Sequence, residues 1–192
     1  MAEAGDREQF GDALQEATWL GSNWLLVPVL LTATGYLLLR RGDRRTAVAV
    51  WVTYLGAVAL YALAKPLVDR ARPPAGDLIG HATGLSFPAG HAAQALAAWS
   101  ILAVVAGAGR SRRTRIAAMA VAAFVVPVVG VSRVYLGAHW LTDVLAGYAL
   151  TGIWLAILTA ALWLRPGSAA RRAATGRLHR RQHPAVRGPA CR

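Results

Sequence analysis

Apolar residues in this chain gather into five separated runs, at about 24–39, 47–64, 92–109, 116–131 and 144–164. A helix that crosses a membrane needs roughly 20 apolar residues, within a range of about 17–25. The shorter runs reach that length once their flanks are counted, 19–23 before the first and Ser132 onward after the fourth. Five such runs in 192 residues, 56% hydrophobic and 16% charged, leave too little polar sequence to coat them in water. The expected fold is therefore all-α, a polytopic transmembrane helix bundle of five spans.

The net charge of +12 raises the question of nucleic acid, and its placement answers it. Arg40, Arg41, Arg44 and Arg45 lie between the first and second runs, and Arg110, Arg112, Arg113 and Arg115 between the third and fourth. Eight more arginines follow the fifth run, from Arg165 to Arg192. These are alternate loops, as the positive-inside rule requires of cytoplasmic segments. No nucleic-acid partner is expected.

Counting spans from that assignment puts the N-terminus, the 65–87 loop and the 132–142 turn outside. Three segments are expected: an N-terminal amphipathic segment, 1–21; a membrane-embedded domain, 22–165; and a basic, unstructured cytoplasmic tail, 166–192. In the first, Phe10, Ala13, Leu14, Ala17 and Leu20 recur at helical spacing, with Glu8, Asp12 and Glu16 on another face. An interfacial helix before the first span is expected. The acidic start, with Arg7 alone among five acidic residues, has the wrong sign for a cleaved leader. Cys191 is the single cysteine, so no intramolecular disulfide forms, and it lies outside a prenylation pattern.

The chemistry is expected at the external face. Lys65, Arg70, Arg72 and Arg133 join His91, His139 and Asp143 at the ends of apolar runs, where ionisable groups are costly and mark function. Lys65 is the one lysine beside 20 arginines, which suggests a position needing a compact point charge. Lys65 and Arg72 stand seven apart, so on a short helix stopped by Pro73–Pro74 they face the same way. Pro88-Ala89-Gly90-His91 opens a helix whose first N–H groups form an anion site. His139 and Asp143, at i and i+4 on the helix opening the fifth run, share a face. A carboxylate bonded to one ring nitrogen leaves the other free as a nucleophile. A metal pair would need further ligands, and this face supplies mostly cations. No metal and no cofactor are expected.

Lys65-x6-Arg72-Pro73, Pro88-Ala89-Gly90-His91 and Ser132-Arg133-x5-His139-x3-Asp143 together resemble the three-part signature of the type-2 phosphatidic acid phosphatase superfamily, over residues 65–143. The resemblance implies a six-helix-type α-bundle core and metal-independent hydrolysis of phosphomonoesters or diphosphates. It implies that His139 forms a phosphohistidine, that Asp143 orients it, and that His91 protonates the leaving oxygen and later activates water. Lys65, Arg72, Arg133 and the backbone N–H of Gly90 would hold the phosphoryl oxygens. Ala89 departs from the family's usual serine, and Ser86 and Thr83 are the hydroxyls near enough to compensate. The first part also comes one span earlier than in six-span relatives, as if a leading helix were missing or reduced to the surface segment.

The expected partners are membrane lipids and a lipid phosphate substrate on the outer leaflet: polyprenyl diphosphate, phosphatidic acid or phosphatidylglycerol phosphate, with the first favoured. Oligomeric state is not readable. Two rivals stand beside this reading, a catalytically weakened lipid-phosphate-binding protein and a haloperoxidase-like enzyme. The second shares the constellation but has soluble relatives.

Overall fold

The computed structural model describes residues 2–74 and 83–163. Helix α1 covers Ala2–Thr18 and passes through one 3-10 turn, Trp19–Gly21, into α2, Asn23–Tyr36. A widened turn at Leu37–Arg41 extends α2, and Gly42, at φ 62°, takes the left-handed conformation that ends it. Asp43 then caps α3, Arg44–Val68, by accepting from the Thr46 backbone N–H at 3.0 Å. Helix α4 runs Gly90–Gly107, and α5 runs Arg112–Tyr135 with Ser111 as its side-chain cap. Helix α6 runs Leu141–Trp163.

The structure bears out the expected class. Five of these helices are long and apolar enough to cross a membrane: Asn23–Arg41, Arg44–Val68, Gly90–Gly107, Arg112–Tyr135 and Leu141–Trp163. Their outward faces carry Leu63, Leu67, Phe124 and Ile153, each more than half exposed, as a lipid-facing surface requires. Inside, α4 lends small side chains. Ala97 and Ala98 pack against Leu26 and Leu30 of α2 and Val50, Tyr54 and Ala57 of α3. Small residues let helices approach closely where lipid offers no hydrophobic drive to association. Several polar groups within the bundle are paired, as with Tyr54 donating to Asn23 at 2.6 Å and Gln94 to the Tyr61 hydroxyl at 2.7 Å. The chain is a multi-pass membrane protein.

Helix α1 packs on α5 rather than standing free. Leu14 is buried, and Phe10 meets Tyr135 edge-to-face at 5.3 Å. The expected apolar stripe is only half used, since Phe10 is 55% exposed and Ala13 is exposed too.

Two compact units divide the chain, residues 1–155 and 156–192. The described part of the second, 156–163, is helical, with Thr159 donating to the Ala156 carbonyl at 2.9 Å. The expected tail, 166–192, lies outside the described residues, as does the 75–82 part of the loop between α3 and α4.

The two ends of the bundle differ in chemistry. At one end Arg41 donates to the Ala108 carbonyl at 3.1 Å, which brings the two arginine-rich loops together. At the other lie the end of α3, the starts of α4 and α6, and the turn after α5.

Candidate active site

Backbone contacts draw the second and third sequence motifs together. The Ala89 N–H donates to the Asp143 carbonyl at 2.9 Å. Gly147, one turn further along α6, allows the approach: a Cβ there would stand 2.7 Å from the Ala89 carbonyl oxygen. The start of α4 is thus locked to the start of α6. The first motif joins through side chains. Lys65 donates to the carbonyls of Leu85 at 2.8 Å and Pro88 at 3.4 Å, and Arg72 donates to Ala138 at 2.6 Å and Gly84 at 2.9 Å.

The positive charges of Lys65, Arg72 and Arg133 reach both His91 and His139. Lys65, Arg72, Gly90, His91, Arg133, His139 and Asp143 therefore gather at one end of the bundle. His91 and Gly90 sit in the first turn of α4, where backbone N–H groups lack intrahelical partners. Arg133, in the last turn of α5, donates to Thr18 of α1 at 3.1 Å, and its buried Nε has no partner among the described residues. A buried guanidinium N–H left open in this way suits an anion acceptor.

Three local expectations need correction. Lys65 and Arg72 do not share a helix, because α3 ends at Val68 and Asp69 turns left-handed at φ 46°. Aspartate tolerates that conformation better than most residues, so the chain breaks four residues before Pro73. Arg72 instead reaches the site from the irregular segment after α3. His139 likewise precedes α6, in the turn between helices, so helical periodicity is not what brings it near Asp143. Finally, the carboxylate is not hydrogen-bonded to the imidazole. Oδ2 of Asp143 lies 3.7 Å from Nδ1 of His139, and that buried nitrogen is without a partner among the described residues.

Asp143 is occupied by other donors. Arg70 donates to Oδ1 at 2.9 Å, the Trp140 backbone N–H to Oδ2 at 3.0 Å, and the Ser86 hydroxyl also to Oδ2. The Trp140 contact is half of a capping box, an acidic side chain in the first turn reaching back to the preceding N–H. Ser86 is fully buried and committed to the carboxylate, so it does not replace the hydroxyl missing at position 89. Thr83 supplies its carbonyl to Arg72. Sequence left both Arg70 and Ser86 without a role in the Asp143 network. Their pairing with it spans 73 and 57 positions, which no local pattern encodes.

Arg72 and Asp143 flank the His139 imidazole at its two ring nitrogens. Nη1 of Arg72 stands 3.4 Å from Nε2, and a guanidinium only donates. A neutral ring therefore presents its lone pair at Nε2 and its proton at Nδ1, toward Asp143. Burial, then the charges of Arg133 and Arg72, hold the imidazole well below the usual histidine range, with Asp143 opposing. His139 is accordingly expected to stay neutral on acidification. At about pH 5 an ordinary imidazole is roughly nine-tenths or more protonated. Histidine ring NMR shifts for residue 139 should still report the neutral form there, and titration near 6.5 would contradict this electrostatic account.

Ala89 is fully buried against Ala92 and Val144 at the N-cap of α4, with no side-chain cap bond. A serine there would cap the helix through the His91 or Ala92 N–H, which is worth about 1 kcal/mol. Ala89→Ser is expected to raise thermal stability in detergent by that order and to keep or improve phosphate affinity. A lower melting temperature, or a clear loss of phosphate binding, would show that the pocket is built differently.

Among the described residues no group of three or more His, Cys, Asp or Glu side chains is placed to hold a metal ion. The PAP2 superfamily model matches residues 46–166, more than half of the chain. The chain belongs to the PAP2 superfamily. Its curated relatives include the lipid A 1-phosphatase of Rhizobium johnstonii, 31% identical over 168 residues, covering 76% of this chain and 64% of the relative. The undecaprenyl-diphosphatase of Sulfolobus acidocaldarius is 30% identical over 145 residues, covering 72% and 64%. The chain thus spans 64% of the length of each of these two relatives. Among solved structures, the transmembrane PAP2-type phosphatidylglycerolphosphate phosphatase from Bacillus subtilis aligns with a TM-score of 0.73, over 82% of this chain and 79% of that one. At 22% identity that likeness establishes a shared fold.

Proposed function

We propose that this PAP2 protein is a membrane lipid phosphatase that hydrolyses a phosphomonoester or diphosphate through a phosphohistidine at His139. The observation that carries the reading is the buried His139 imidazole, with Nε2 turned to Arg72 and Nδ1 to Asp143, at the end where Lys65, Arg133 and the α4 N-terminus gather. Phosphoryl transfer asks mainly for positioning and for charge neutralisation on three oxygens. Lys65, Arg72, Arg133 and the N–H of Gly90 supply donors and charge for that.

In the first step Nε2 of His139 bonds to phosphorus, the P–O bond to the leaving group breaks, and His91 donates a proton to the departing oxygen. In the second, water attacks phosphorus as His91 takes its proton, the P–N bond breaks, and phosphate leaves. Such acid–base help is worth about 10²–10⁴ in rate. Asp143 steadies the ring as it becomes cationic. No metal enters either step, and a chelator should leave turnover unchanged.

The site and the paired arginine loops occupy opposite ends of the bundle, which supports an extracytoplasmic active site with the 166–192 tail in the cytoplasm. We take 1–21 as a surface segment and 22–165 as the catalytic domain. The names of the relatives, a lipid A 1-phosphatase and an undecaprenyl-diphosphatase, support a lipid phosphate as the substrate, and an external site would restrict it to the outer leaflet. Polyprenyl diphosphate is the first choice, ahead of phosphatidic acid and phosphatidylglycerol phosphate.

Phosphate release from each of those three lipids by purified protein in detergent, with and without a chelator, tests the reading. Turnover of at least one, insensitive to chelation, is expected. Tight binding without turnover would instead favour a lipid-phosphate-binding protein.

A further inference from the structure

Asp143 has no exposed surface, yet none of its bonds goes to the histidine it faces. One side-chain donor comes from the segment after α3, Arg70 on Oδ1, and one from the segment before α4, Ser86 on Oδ2. Arg70 is itself tethered. Its Nη1 also donates to Thr142 at 2.6 Å, and its guanidinium lies 5.5 Å over the Trp140 ring. The gap of 3.7 Å to His139 Nδ1 must shorten to roughly 3 Å for a hydrogen bond to form. Whether it closes depends on where the carboxylate is held.

Arginines two residues apart divide the work. Arg72 stands at Nε2 of His139, the side from which phosphorus would approach, whereas Arg70 stands behind, on the far oxygen of Asp143. We propose that Arg70 and Ser86 are positioning residues that hold the Asp143 carboxylate aimed at His139 Nδ1, and that neither touches the phosphoryl group. This rests on the phosphatase reading above. It follows that Arg70 and Arg72 are not interchangeable, despite their shared charge and near-adjacent positions. The hydroxyl of Ser86 has a further consequence. With the Trp140 N–H it fixes the place of Oδ2, the carboxylate oxygen that lies 3.7 Å from the ring nitrogen.

The test uses the full chain in detergent micelles, with dioctanoyl phosphatidic acid as substrate and orthovanadate as a phosphoryl analogue. Arg70→Gln is expected to lower kcat by about 10–100-fold while KM and the orthovanadate inhibition constant stay within about threefold. Arg72→Gln should raise both constants by about tenfold, Ser86→Ala should lower kcat by about 3–10-fold, and Arg70→Lys should recover part of the loss. In an Asp143→Asn background, Arg70→Gln and Ser86→Ala should each cost less than about twofold more, because their effect runs through the carboxylate. The proposal is overturned if Arg70→Gln weakens orthovanadate as much as Arg72→Gln does, if kcat is unmoved, or if the losses multiply in the Asp143→Asn background. Should Arg70→Gln not fold, Arg70→Lys and Ser86→Ala carry the same readouts. A wild-type chain without turnover on any lipid phosphate would sink the phosphatase reading itself, whereas turnover indifferent to Arg70 and Ser86 would sink this inference alone.

Discussion

His139→Ala is expected to abolish phosphate release, with a loss of about 10³-fold or more in kcat, while the protein still inserts and purifies as a folded bundle. Alanine removes the atom that would bond to phosphorus, and among the described residues the one other imidazole is that of His91. His91 belongs to α4 and would act on the leaving oxygen. The fold should tolerate the change because His139 lies in the turn between α5 and α6, where among the described residues its Nδ1 has no hydrogen-bond partner and its Nε2 meets Arg72 at 3.4 Å. Initial rates on a lipid phosphate, beside a thermal melt in the same detergent, check both halves. Residual activity above a few per cent, in a protein that melts like wild type, would remove His139 from the nucleophile's place.

Asp143→Asn is the second large effect, and it should appear in rate and stability together. The carboxylate accepts from Arg70, Ser86 and the Trp140 N–H. An asparagine offers one acceptor oxygen and turns an NH₂ toward a donor, so at least one of these groups loses its bond. With Arg70 37% exposed, water relieves part of the cost, and we expect a stability loss of about 1–3 kcal/mol. The rate should fall by about 10²–10⁴, because the negative charge that favours a proton on Nδ1 and would steady the cationic ring is gone. Near-wild-type kcat in a folded Asp143→Asn protein would mean that the carboxylate serves structure alone.

Local pattern made the bundle legible before any coordinates. Helix α2 opens one residue before the apolar run at 24–39, and α5 brackets the run at 116–131. Apolar length and arginine placement act within one span or loop, and sequence carries them directly. Which residues would gather was also legible, because Lys65, His91, Arg133 and Asp143 each lie at the same end of a span. What escaped were contacts between chemically ordinary residues far apart in the chain. In the sequence Ser86 is a hydroxyl near Ala89 and Arg70 is one of four external cations, and nothing local ties either to Asp143. Their bonds to Asp143 depend on how the segments around α3 and α4 fold over the start of α6. The end of α3 escaped for a different reason. Pro73 is a strong stop signal in the sequence, whereas the left-handed turn at Asp69 has no comparable local mark. The i and i+4 spacing of His139 and Asp143 is ambiguous, since a capped turn leading into α6 also brings the pair to 3.7 Å.

Covalent capture of the phosphoryl group tests the central claim most directly. Wild-type protein mixed with a lipid phosphate labelled at its terminal phosphorus and quenched in base within milliseconds should carry an acid-labile label on the peptide containing residue 139. His91→Ala should slow both the appearance of that label and its loss, since the same histidine would protonate the leaving oxygen and activate the water. Turnover with no label on the protein at any quench time, or a label on another residue, would contradict attack by His139.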